Sequence, residues 1–516
     1  MTQTSPIKHA LPVLRQDDFA QWYQAVIAEA ELAEESGVRG CMVIKPWGYG
    51  IWERIQKLMD ERIKEAGVEN CYFPLFIPLS YFAREAEHVE GFAKEMAVVT
   101  HHRLIGDGKG GLVPDPEAKL EEPLIVRPTS ETVIGAAMAR WIQSWRDLPL
   151  LTNQWANVVR WEMRTRMFLR TSEFLWQEGH TAHADEADAM AETLRALEMY
   201  RSFAEDVLAM PVVAGPKPEN ERFPGAVETF SIEAMMQDGK ALQAGTSHYL
   251  GTTFSEAAGI RYQDKEGQQT LCHTTSWGVS TRMIGGVIMT HGDDDGLRTP
   301  PRIAPQQIVI LPMLRDNDGD AALLEYCTAL RAKLAALSVF DEKMRVLLDK
   351  RPGKATAKRW GWVKKGVPLI LEIGGRDAEG GQVSVLRRDR LWRADGKANF
   401  VGMAQDEFVA SAASELEAIQ TGLHEEARAR RDAQIERGIA DLAGLAAYFS
   451  EDKDFPGWVE LCWSRPTGAA LDKVVEHLKT LKLTIRNTPM DAAPAEGLCP
   501  FTGEPAVERI LVARSY

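Results

Sequence analysis

Apolar residues recur every three or four positions in two stretches near the N terminus. This spacing predicts amphipathic helices over residues 19–36 and 51–66. The apolar run 71–78 predicts a strand, and Pro74 within it indicates an edge or interface position, because proline cannot donate to a sheet ladder. The Gly- and Pro-rich segment 105–118 predicts a surface loop.

Strand-like and helical runs alternate up to residue 292. Residues 158–162 predict a strand, and residues 165–169 and 174–178 predict two more around a turn. The Ala-, Glu- and Leu-rich run 186–208 predicts a long helix.

The clearest break in the chain is Thr299-Pro300-Pro301, and we place a domain boundary after residue 304. Residues 305–410 alternate strands and helices, which predicts an α/β domain. A polar helical stretch over 411–445 opens a last unit, 411–516, predicted as a linker helix and a small α+β domain. The elements predicted in the middle domain are strands 307–312, 344–348 and 368–373 and a helix over 323–337.

Composition narrows the class of protein. A length of 516 residues predicts several domains. No apolar run approaches the ~20 residues of a membrane helix, and the N-terminal stretch lacks a signal pattern, so we expect a cytoplasmic location. The six cysteines form no CxxC pair, which argues against a disulfide framework or an intact zinc ribbon.

Charge is unevenly distributed. The net charge of −14 argues against wholesale coating of nucleic acid. Residues 342–390 nevertheless hold 13 Lys and Arg against 6 Asp and Glu, which indicates a local RNA-binding face.

The segment 160–180, RWEMRTRMFLRTSEFLWQEGH, holds the most informative chemistry. Arg160 can clamp a phosphate, Glu162 can accept from an exocyclic amine, and Phe174 can stack on a base. A solvated Arg/Glu-rich hairpin is the alternative for Arg160 alone, but the full set favours a nucleotide site.

Three further segments carry candidate chemistry. RPTSET (127–132) places a hydroxyl and a carboxylate where a cationic amine could be held, although alone it is better explained as a helix cap. QAGTSH (243–248) lets backbone approach a ligand, while His248 alone is more often a satisfied core histidine. Arg282 heads an apolar helix-like run, which is costly unless it serves a ligand or an ion pair.

Together these segments resemble the three signature motifs of the class II aminoacyl-tRNA synthetases. Within that class the chain closely resembles the prolyl-tRNA synthetase family of the archaeal/eukaryote-like type, from about residue 20 to the C terminus. The segments that carry the resemblance are RPTSET, FLRTSEFLWQEGH, AGTSHYLG, SWGVSTRMIG, HGDDDGL with PPR, and KGVPLILEIGGRD. It implies an antiparallel-sheet catalytic domain, an α/β anticodon-binding domain, a homodimer, and no DNA or membrane partner.

The resemblance also implies a reaction and a set of residues. Proline and ATP would form prolyl-adenylate, and the prolyl group would pass to tRNA(Pro). Arg160 and Arg282 would be catalytic, and Gln243 would contact Mg²⁺. The implied proline contacts are Thr129, Glu131, Arg160, Trp176, Glu178, His180 and His248. The implied ATP contacts are Arg160, Glu162, Arg170, Thr171, Phe174, Gln243, Thr246, Ser280 and Arg282.

In the basic region, the resemblance implies anticodon recognition. Candidate phosphate contacts are Lys358, Arg359, Lys364 and Lys365, and candidate base contacts are Glu372, Arg376 and Asp377. A solvated face is an equally good explanation for any single lysine.

The chain departs from the family in its last unit. Where relatives carry two close pairs of zinc cysteines, only Cys462 and Cys499 remain here, and His477 is the sole histidine of the last ~65 residues, so we expect no structural zinc. Ordinary core packing by residues such as Trp458, Leu461, Leu471, Val474 and Leu478 is expected to replace it.

About 100 residues separate Glu178 from Arg282, which leaves no room for a large editing insertion. We therefore expect alanine to be mischarged and cleared in trans, because one methylene discriminates by only ~1–3 kcal/mol. Two alternatives stay open: a threonyl synthetase of the same subgroup, and a synthetase-like regulatory protein that does not charge tRNA.

Overall fold

A seven-stranded sheet forms the centre of the N-terminal part of the protein. The computed structural model describes residues 7–83, 96–315, 317–450 and 455–516. Neighbouring strands are antiparallel, except that the short edge strand pairs parallel to its neighbour. In spatial order the strands are Val212–Pro216, Glu228–Met235, Ala241–Gly251, His273–Ser280, Glu173–His183, Leu150–Val159 and Glu69–Asn70.

Helices cover this sheet with apolar faces. The predicted helix over 186–208 forms as Glu186–Asp206, and the Asp185 side chain caps it by accepting from the Asp188 N–H at 2.9 Å. Helix Arg282–His291 is buried from Met283 onward, as its apolar sequence requires. The helices described up to residue 291 are Phe19–Glu29, Pro46–Glu65, Leu79–Ala83, Glu131–Trp141, Glu186–Asp206, Thr253–Ala258 and Arg282–His291.

The first predicted helix is shorter than its apolar spacing suggested. It ends at Glu29, Glu31 adopts a φ of 54°, and strand Ala33–Glu35 pairs with Met42–Ile44. A left-handed residue interrupts helical hydrogen bonding, which periodicity alone does not reveal. The helix predicted over 51–66 instead begins at Pro46, where proline suits the first helical turn.

The strand predicted over 71–78 is also shorter, and only Phe76–Pro78 pairs with a neighbour. It lies at the edge of a three-stranded sheet, and Pro74 lies before it. The preceding carbonyls accept from a side chain instead: Arg127 Nη1 lies 2.8 Å from the Phe73 oxygen and 3.3 Å from the Pro74 oxygen. The side chain of a buried arginine thus donates to these carbonyls in place of a neighbouring strand.

Three other local predictions were wrong. The segment predicted as a loop over 105–118 contains an exposed hairpin of Leu104–Gly106 and Leu112–Pro114. Residues 165–169 form no strand, since Phe168 has a φ of 60°, and the strand predicted over 158–162 is instead Leu150–Val159.

Several small sheets complete this part of the chain. The three-stranded sheet orders Phe76–Pro78, Lys119–Val126 and Ala97–His101. Two-stranded pairs are Ala33–Glu35 with Met42–Ile44, Leu104–Gly106 with Leu112–Pro114, and Arg261–Gln263 with Gln269–Leu271. Short 3₁₀ helices are Pro116–Ala118, Trp145–Asp147, Glu219–Glu221 and Arg388–Arg390.

The middle part has the predicted α/β architecture around a five-stranded sheet. The three predicted strands are parallel, and two further antiparallel strands extend the sheet. The order is Val346–Leu348, Ile308–Pro312, Leu369–Ile373, Gln382–Arg387 and Phe400–Ala404, with the side hairpin Ser338–Val339 and Glu342–Lys343. Its helices are Asp320–Ala336, Ala355–Lys364 and Gly375–Glu379.

Helix Gln405–Ala433 runs across the boundary predicted at residues 410 and 411. Beyond it lie helices Leu442–Tyr448 and Gly468–Thr480 and a four-stranded sheet. The five side chains predicted to form this core, including Trp458 and Leu461, are all buried. The strand order is Ile435–Glu436, Trp458–Trp463, Glu508–Ala513 and Thr484–Ile485.

The acidic run 293–295 ties the parts together. Asp293 receives both terminal nitrogens of Arg388, which is 2% exposed, at 2.7 and 2.5 Å. Asp295 accepts from Trp392 Nε1 at 2.7 Å, and Asp294 pairs with Arg15 at 3.2 Å. Within the described ranges, no helix has the length and apolar character needed to cross a bilayer.

Candidate active site

A cavity of about 250 Å³ opens over one face of the seven-stranded sheet. Its walls come from four adjacent strands and from the segment after Pro216. Twelve of the residues predicted for proline or ATP line it together: Thr129, Glu131, Arg160, Phe174, Trp176, Glu178, His180, Gln243, Thr246, His248, Ser280 and Arg282.

One end of the cavity is built on a buried carboxylate. Glu178, 2% exposed, accepts from Ser130 Oγ and Gln154 Nε2 on one oxygen. Its other oxygen lies 2.9 Å from His180 Nε2. Glu178 therefore organises the wall of the pocket, with three partners on its two oxygens.

Glu131 stands at the start of helix Glu131–Trp141, beside this network. Its carboxylate accepts from Thr129 Oγ1. A carboxylate can accept about four hydrogen bonds, so capacity remains for a cationic ligand. Ser130 occupies the N-cap position and Glu131 the first turn, as the helix-cap alternative for RPTSET predicted, but the Ser130 side chain makes no cap hydrogen bond and instead donates to Glu178.

The pKa values of the two histidines in the cavity are shifted in opposite directions. Burial disfavours an imidazolium at His180, but the adjoining Glu178 carboxylate outweighs it and raises the pKa of His180. Burial, with His180 and Lys217 nearby, lowers the pKa of His248 to about 3. His248 is therefore neutral, and its Nδ1 lies 3.0 Å from Thr229 Oγ1.

Arg160 separates the two ends of the cavity. Its Nε donates to the Pro128 oxygen at 2.9 Å, which fixes the guanidinium. The guanidinium carbon lies 5.6 Å from the Phe174 ring centre and 5.8 Å from that of Trp176. A planar cation held over aromatic rings is suited to bridging two anionic groups.

Arg282 lies at the other end. Its Nε donates to the Leu169 oxygen at 3.2 Å, and its backbone N–H donates to Ser280 Oγ at 3.2 Å. Burial, together with the positive charges of Arg160 and Arg170, lowers the pKa of Arg282 to about 10. It stays charged at neutral pH, and an anion between these arginines would relieve their repulsion.

Three predicted ATP residues lie outside this cavity. Glu162 and Arg170 face each other with 3.8 Å between carboxylate and Nε. Thr171 is 8% exposed and lines a neighbouring cavity beside Gly40 and Thr165. Their contact with ATP, which the resemblance implies, stays a prediction.

Sequence reasoning missed one wall of the cavity. Lys217, Glu221, Arg222, Phe223 and Thr229 all line it. The Phe223 ring lies 4.8 Å from that of His248. The only signal available was a Gly/Pro-rich loop between predicted elements, the kind of segment that often carries function.

The anticodon candidates separate into groups. Lys364 and Lys365 pair with Glu29 and Glu31 of the catalytic part, a packing role that the sequence did not indicate. A tRNA phosphate would have to compete with those carboxylates.

The remaining anticodon candidates lie within the α/β part. Arg359 Nη1 donates to Glu372 at 2.9 Å, and Lys358 Nζ donates to the Asp349 oxygen at 3.2 Å. Arg376 is exposed on the short helix Gly375–Glu379, and Asp377 caps that helix by accepting from the Gly374 N–H at 2.8 Å. Direct contacts of these residues with tRNA stay a prediction.

The cysteines of the last domain take different environments. Cys499 is buried in the apolar core, whereas Cys462 Sγ donates to the Glu496 oxygen at 3.1 Å. Across the described ranges, no cluster of three or more His, Cys, Asp or Glu residues is arranged to hold a metal ion.

An antiparallel sheet that presents arginines and carboxylates to one cavity, followed by an α/β domain, defines the class. Residues 115–291 match the model of the class II tRNA synthetase core domain (G, H, P, S and T), and residues 307–411 match that of the anticodon binding domain. The protein is a class II synthetase by fold.

Relatives define the family more narrowly. A proline–tRNA ligase of Novosphingobium aromaticivorans is 84% identical over 510 residues, covering 99% of both chains. The proline–tRNA ligase of Sphingopyxis alaskensis is 74% identical and covers 100% of this chain and 97% of the relative. The proline–tRNA ligase of Bdellovibrio bacteriovorus is 51% identical, and the match covers 98% of this chain and 99% of the relative. The chain belongs to the proline–tRNA ligase family.

Proposed function

We propose that this protein activates L-proline with ATP to prolyl-adenylate and transfers the prolyl group to the 3′ end of tRNA(Pro). The observation that carries the proposal is a single cavity lined by the carboxylates Glu131 and Glu178 and by the guanidinium groups of Arg160 and Arg282. A zwitterionic amino acid and a polyanionic nucleotide need that arrangement of charges.

At the carboxylate end, Glu131 and Thr129 would receive the two N–H donors of the cationic imino group. Trp176, His180 and His248 would enclose the ring, and Glu178 would hold His180 in place through the 2.9 Å contact. Charged hydrogen bonds in a desolvated site are stronger than neutral ones, which favours the ammonium form of the ligand.

At the arginine end, ATP would lie with its α-phosphate between Arg160 and Arg282 and its base near Phe174. Gln243, Thr246 and Ser280 supply polar atoms on the same wall. Closure of the loop that carries Glu162, Arg170 and Thr171 would bring these residues to the nucleotide.

Mg²⁺ would arrive with ATP, since this ion is commonly bound through substrate phosphates, water and few protein oxygens. The amide oxygen of Gln243 fits that role, whereas no dedicated metal cluster is present in the described ranges. When bound, Mg²⁺ would neutralise phosphate charge.

The reaction itself needs no protein nucleophile. A proline carboxylate oxygen attacks the α-phosphorus and pyrophosphate leaves. The terminal ribose hydroxyl of tRNA then attacks the prolyl carbonyl and AMP leaves. Arg160 and Arg282 stabilise the negative charge that develops on the phosphoryl oxygens, so positioning and electrostatics supply the rate.

The α/β domain would bind the anticodon arm of tRNA(Pro). Its basic segment 342–390 supports this, and Lys358, Arg376 and Asp377 remain the candidates least engaged with the catalytic part. We assign the chain to the archaeal/eukaryote-like type, supported by the short 178–282 segment, which folds into the core sheet and its helices, and by the added C-terminal domain.

A homodimer is part of the proposal, as is a cytoplasmic location. Apolar side chains are exposed on the three-stranded sheet and its neighbouring hairpin: Phe76 is 48% exposed, Val98 52%, Leu104 57% and Leu112 70%. Sedimentation of the full chain would report the stoichiometry, and a monomer at micromolar concentration would contradict it.

Proline-dependent exchange between ATP and pyrophosphate tests the activity. We expect exchange with proline, none with threonine, and a loss of roughly 100-fold or more in Arg160→Ala, because Arg160 would stabilise charge in the transition state. Exchange that depends on threonine would overturn the proposal in favour of a threonyl synthetase. Failure of every amino acid to support exchange would overturn it in favour of a regulatory protein.

A further inference from the structure

A buried cluster of three charges joins the C-terminal domain to the cavity. Glu233, fully buried on strand Glu228–Met235, accepts from Arg486 at 3.1 and 2.8 Å on one oxygen. Its other oxygen accepts from Ser231 Oγ at 2.9 Å and lies 3.3 Å from Lys217 Nζ. Arg486 belongs to the C-terminal domain, and Lys217 lines the cavity.

The backbone around Arg486 docks tightly on the edge of the catalytic sheet. The Thr488 N–H donates to the Pro216 oxygen at 3.0 Å, and the Met490 N–H donates to the Ala214 oxygen at 3.0 Å. A Cβ on Gly215 would lie 1.9 Å from the Thr488 oxygen, so this contact admits no side chain. The C-terminal domain therefore holds the base of the wall that begins at Lys217.

Burying such a cluster costs free energy unless each charge has a partner of opposite sign. Burial opposes ionisation of Glu233, but Arg486 and Lys217 hold its pKa below the ordinary range. Burial lowers the pKa of Lys217 despite the neighbouring Glu233. Arg486 holds Glu233 in place through two hydrogen bonds to one oxygen, which leaves the other oxygen facing Lys217. Lys217 also lies 4.0 Å from Glu221, and the positive charge of Arg486 opposes its own.

Lys217 in turn fixes the loop that faces His248. The backbone N–H of Lys217 donates to the Thr229 backbone oxygen at 2.8 Å, and the backbone N–H of Phe223 donates to Thr229 Oγ1 at 2.9 Å. The Phe223 ring then contacts His248. A chain of contacts thus runs from Arg486 to the end of the cavity assigned to the amino acid.

We propose that Arg486 is a positioning residue for amino-acid binding: through Glu233 and Lys217 it sets the 217–223 wall of the cavity. The C-terminal domain then acts on the affinity for the amino acid through this wall. On Arg282, at the nucleotide end, the charges of Glu233 and Arg486 act in opposite directions. This inference rests on the proposed function, because it assigns that end of the cavity to proline.

The test is Arg486→Met in the full chain, assayed by proline-dependent exchange. We expect the KM for proline to rise about tenfold, less than the roughly 100-fold that a misplacement of about 1 Å can cause, with a smaller change in the KM for ATP. Arg486→Lys keeps the charge and should restore part of the proline KM.

Arg298→Met is the matched control. Arg298 is nine-tenths buried and pairs with Glu426 at 2.9 and 2.7 Å, at another junction between domains and away from the cavity. It should lower Tm without changing the proline KM. If Arg486→Met behaves like this control, or raises both KM values equally, the inference is wrong.

If Arg486→Met does not fold, Glu233→Gln carries the same test. It keeps the shape and removes the shared carboxylate, and a wild-type proline KM in that variant would overturn the inference. The two proposals fail separately: absence of proline-dependent exchange in the wild type refutes the activity, whereas exchange without the KM change refutes only the role of Arg486.

Discussion

Replacing Glu178 by Gln should lower the pKa of His180 and favour its neutral form. The amide oxygen can still accept from Ser130 and Gln154, but the amide NH₂ then faces His180 Nε2, which must become an acceptor. Without the Glu178 carboxylate, burial opposes the imidazolium and the charge of Glu131 alone favours it. Because burial is the largest influence on His180, its pKa should fall below ~6.5 instead of lying above it.

The energetic cost follows from the same contacts. Three hydrogen bonds to an ionised group, each ~1.5–3 kcal/mol, become bonds to a neutral amide at ~0.5–1.5 kcal/mol. Relief of the buried charge offsets part of this loss, so we expect a destabilisation of about 1–3 kcal/mol near pH 6.

The pH dependence has a definite sign. Because the folded pKa of His180 is raised, its stabilising contribution is complete below the unfolded pKa of ~6.5 and disappears as pH rises through the folded pKa. The gap in Tm between wild type and Glu178→Gln should therefore be largest near pH 5.5 and shrink towards pH 8.5.

Two measurements check this. NMR titration of the His180 ring, assigned with His180→Gln, should give pKa values on opposite sides of ~6.5 in the two proteins. Asp188→Asn is the control, because it removes a histidine–carboxylate contact of 2.6 Å at His183, outside the cavity lining, and should leave His180 unmoved. An unchanged His180 titration in Glu178→Gln, or a Tm gap that grows with pH, would refute the reasoning.

Three other outcomes are expected. Glu131→Ala should raise the KM for proline by roughly 10- to 100-fold with little change for ATP, since a charged hydrogen bond is worth ~1.5–3 kcal/mol; equal loss for both substrates in exchange assays would contradict the assignment. Gly215→Ala should make the C-terminal domain more sensitive to limited proteolysis, because the added Cβ would lie 1.9 Å from the Thr488 oxygen. The control Gly422→Ala adds a Cβ with no atom within 4 Å on a helical backbone and should keep stability or increase it by up to ~1 kcal/mol. Equal proteolysis of both variants would count against the docking contact. Alanine should be attached to tRNA(Pro) at a measurable rate, and strong hydrolysis of alanyl-tRNA by this chain would argue against clearance in trans.

Much of the site was predictable because its residues come from local sequence patterns. The strand Glu173–His183 carries Phe174, Trp176, Glu178 and His180, and alternation along one strand places alternate side chains on the same face. The helices Glu186–Asp206 and Arg282–His291 follow equally from periodicity. Twelve of the predicted residues consequently meet in one cavity.

What the sequence alone determined was therefore the class, the family resemblance and most of the side chains that line the cavity. It could not determine that Glu178 accepts hydrogen bonds from Ser130 and Gln154, or that Lys364 and Lys365 pair with carboxylates of the catalytic part. Nor could it bring Arg486 to Glu233, 253 residues away along the chain. Periodicity and motifs report neighbours within one element, whereas buried ion pairs between elements depend on how domains dock, and only the tertiary structure decides that.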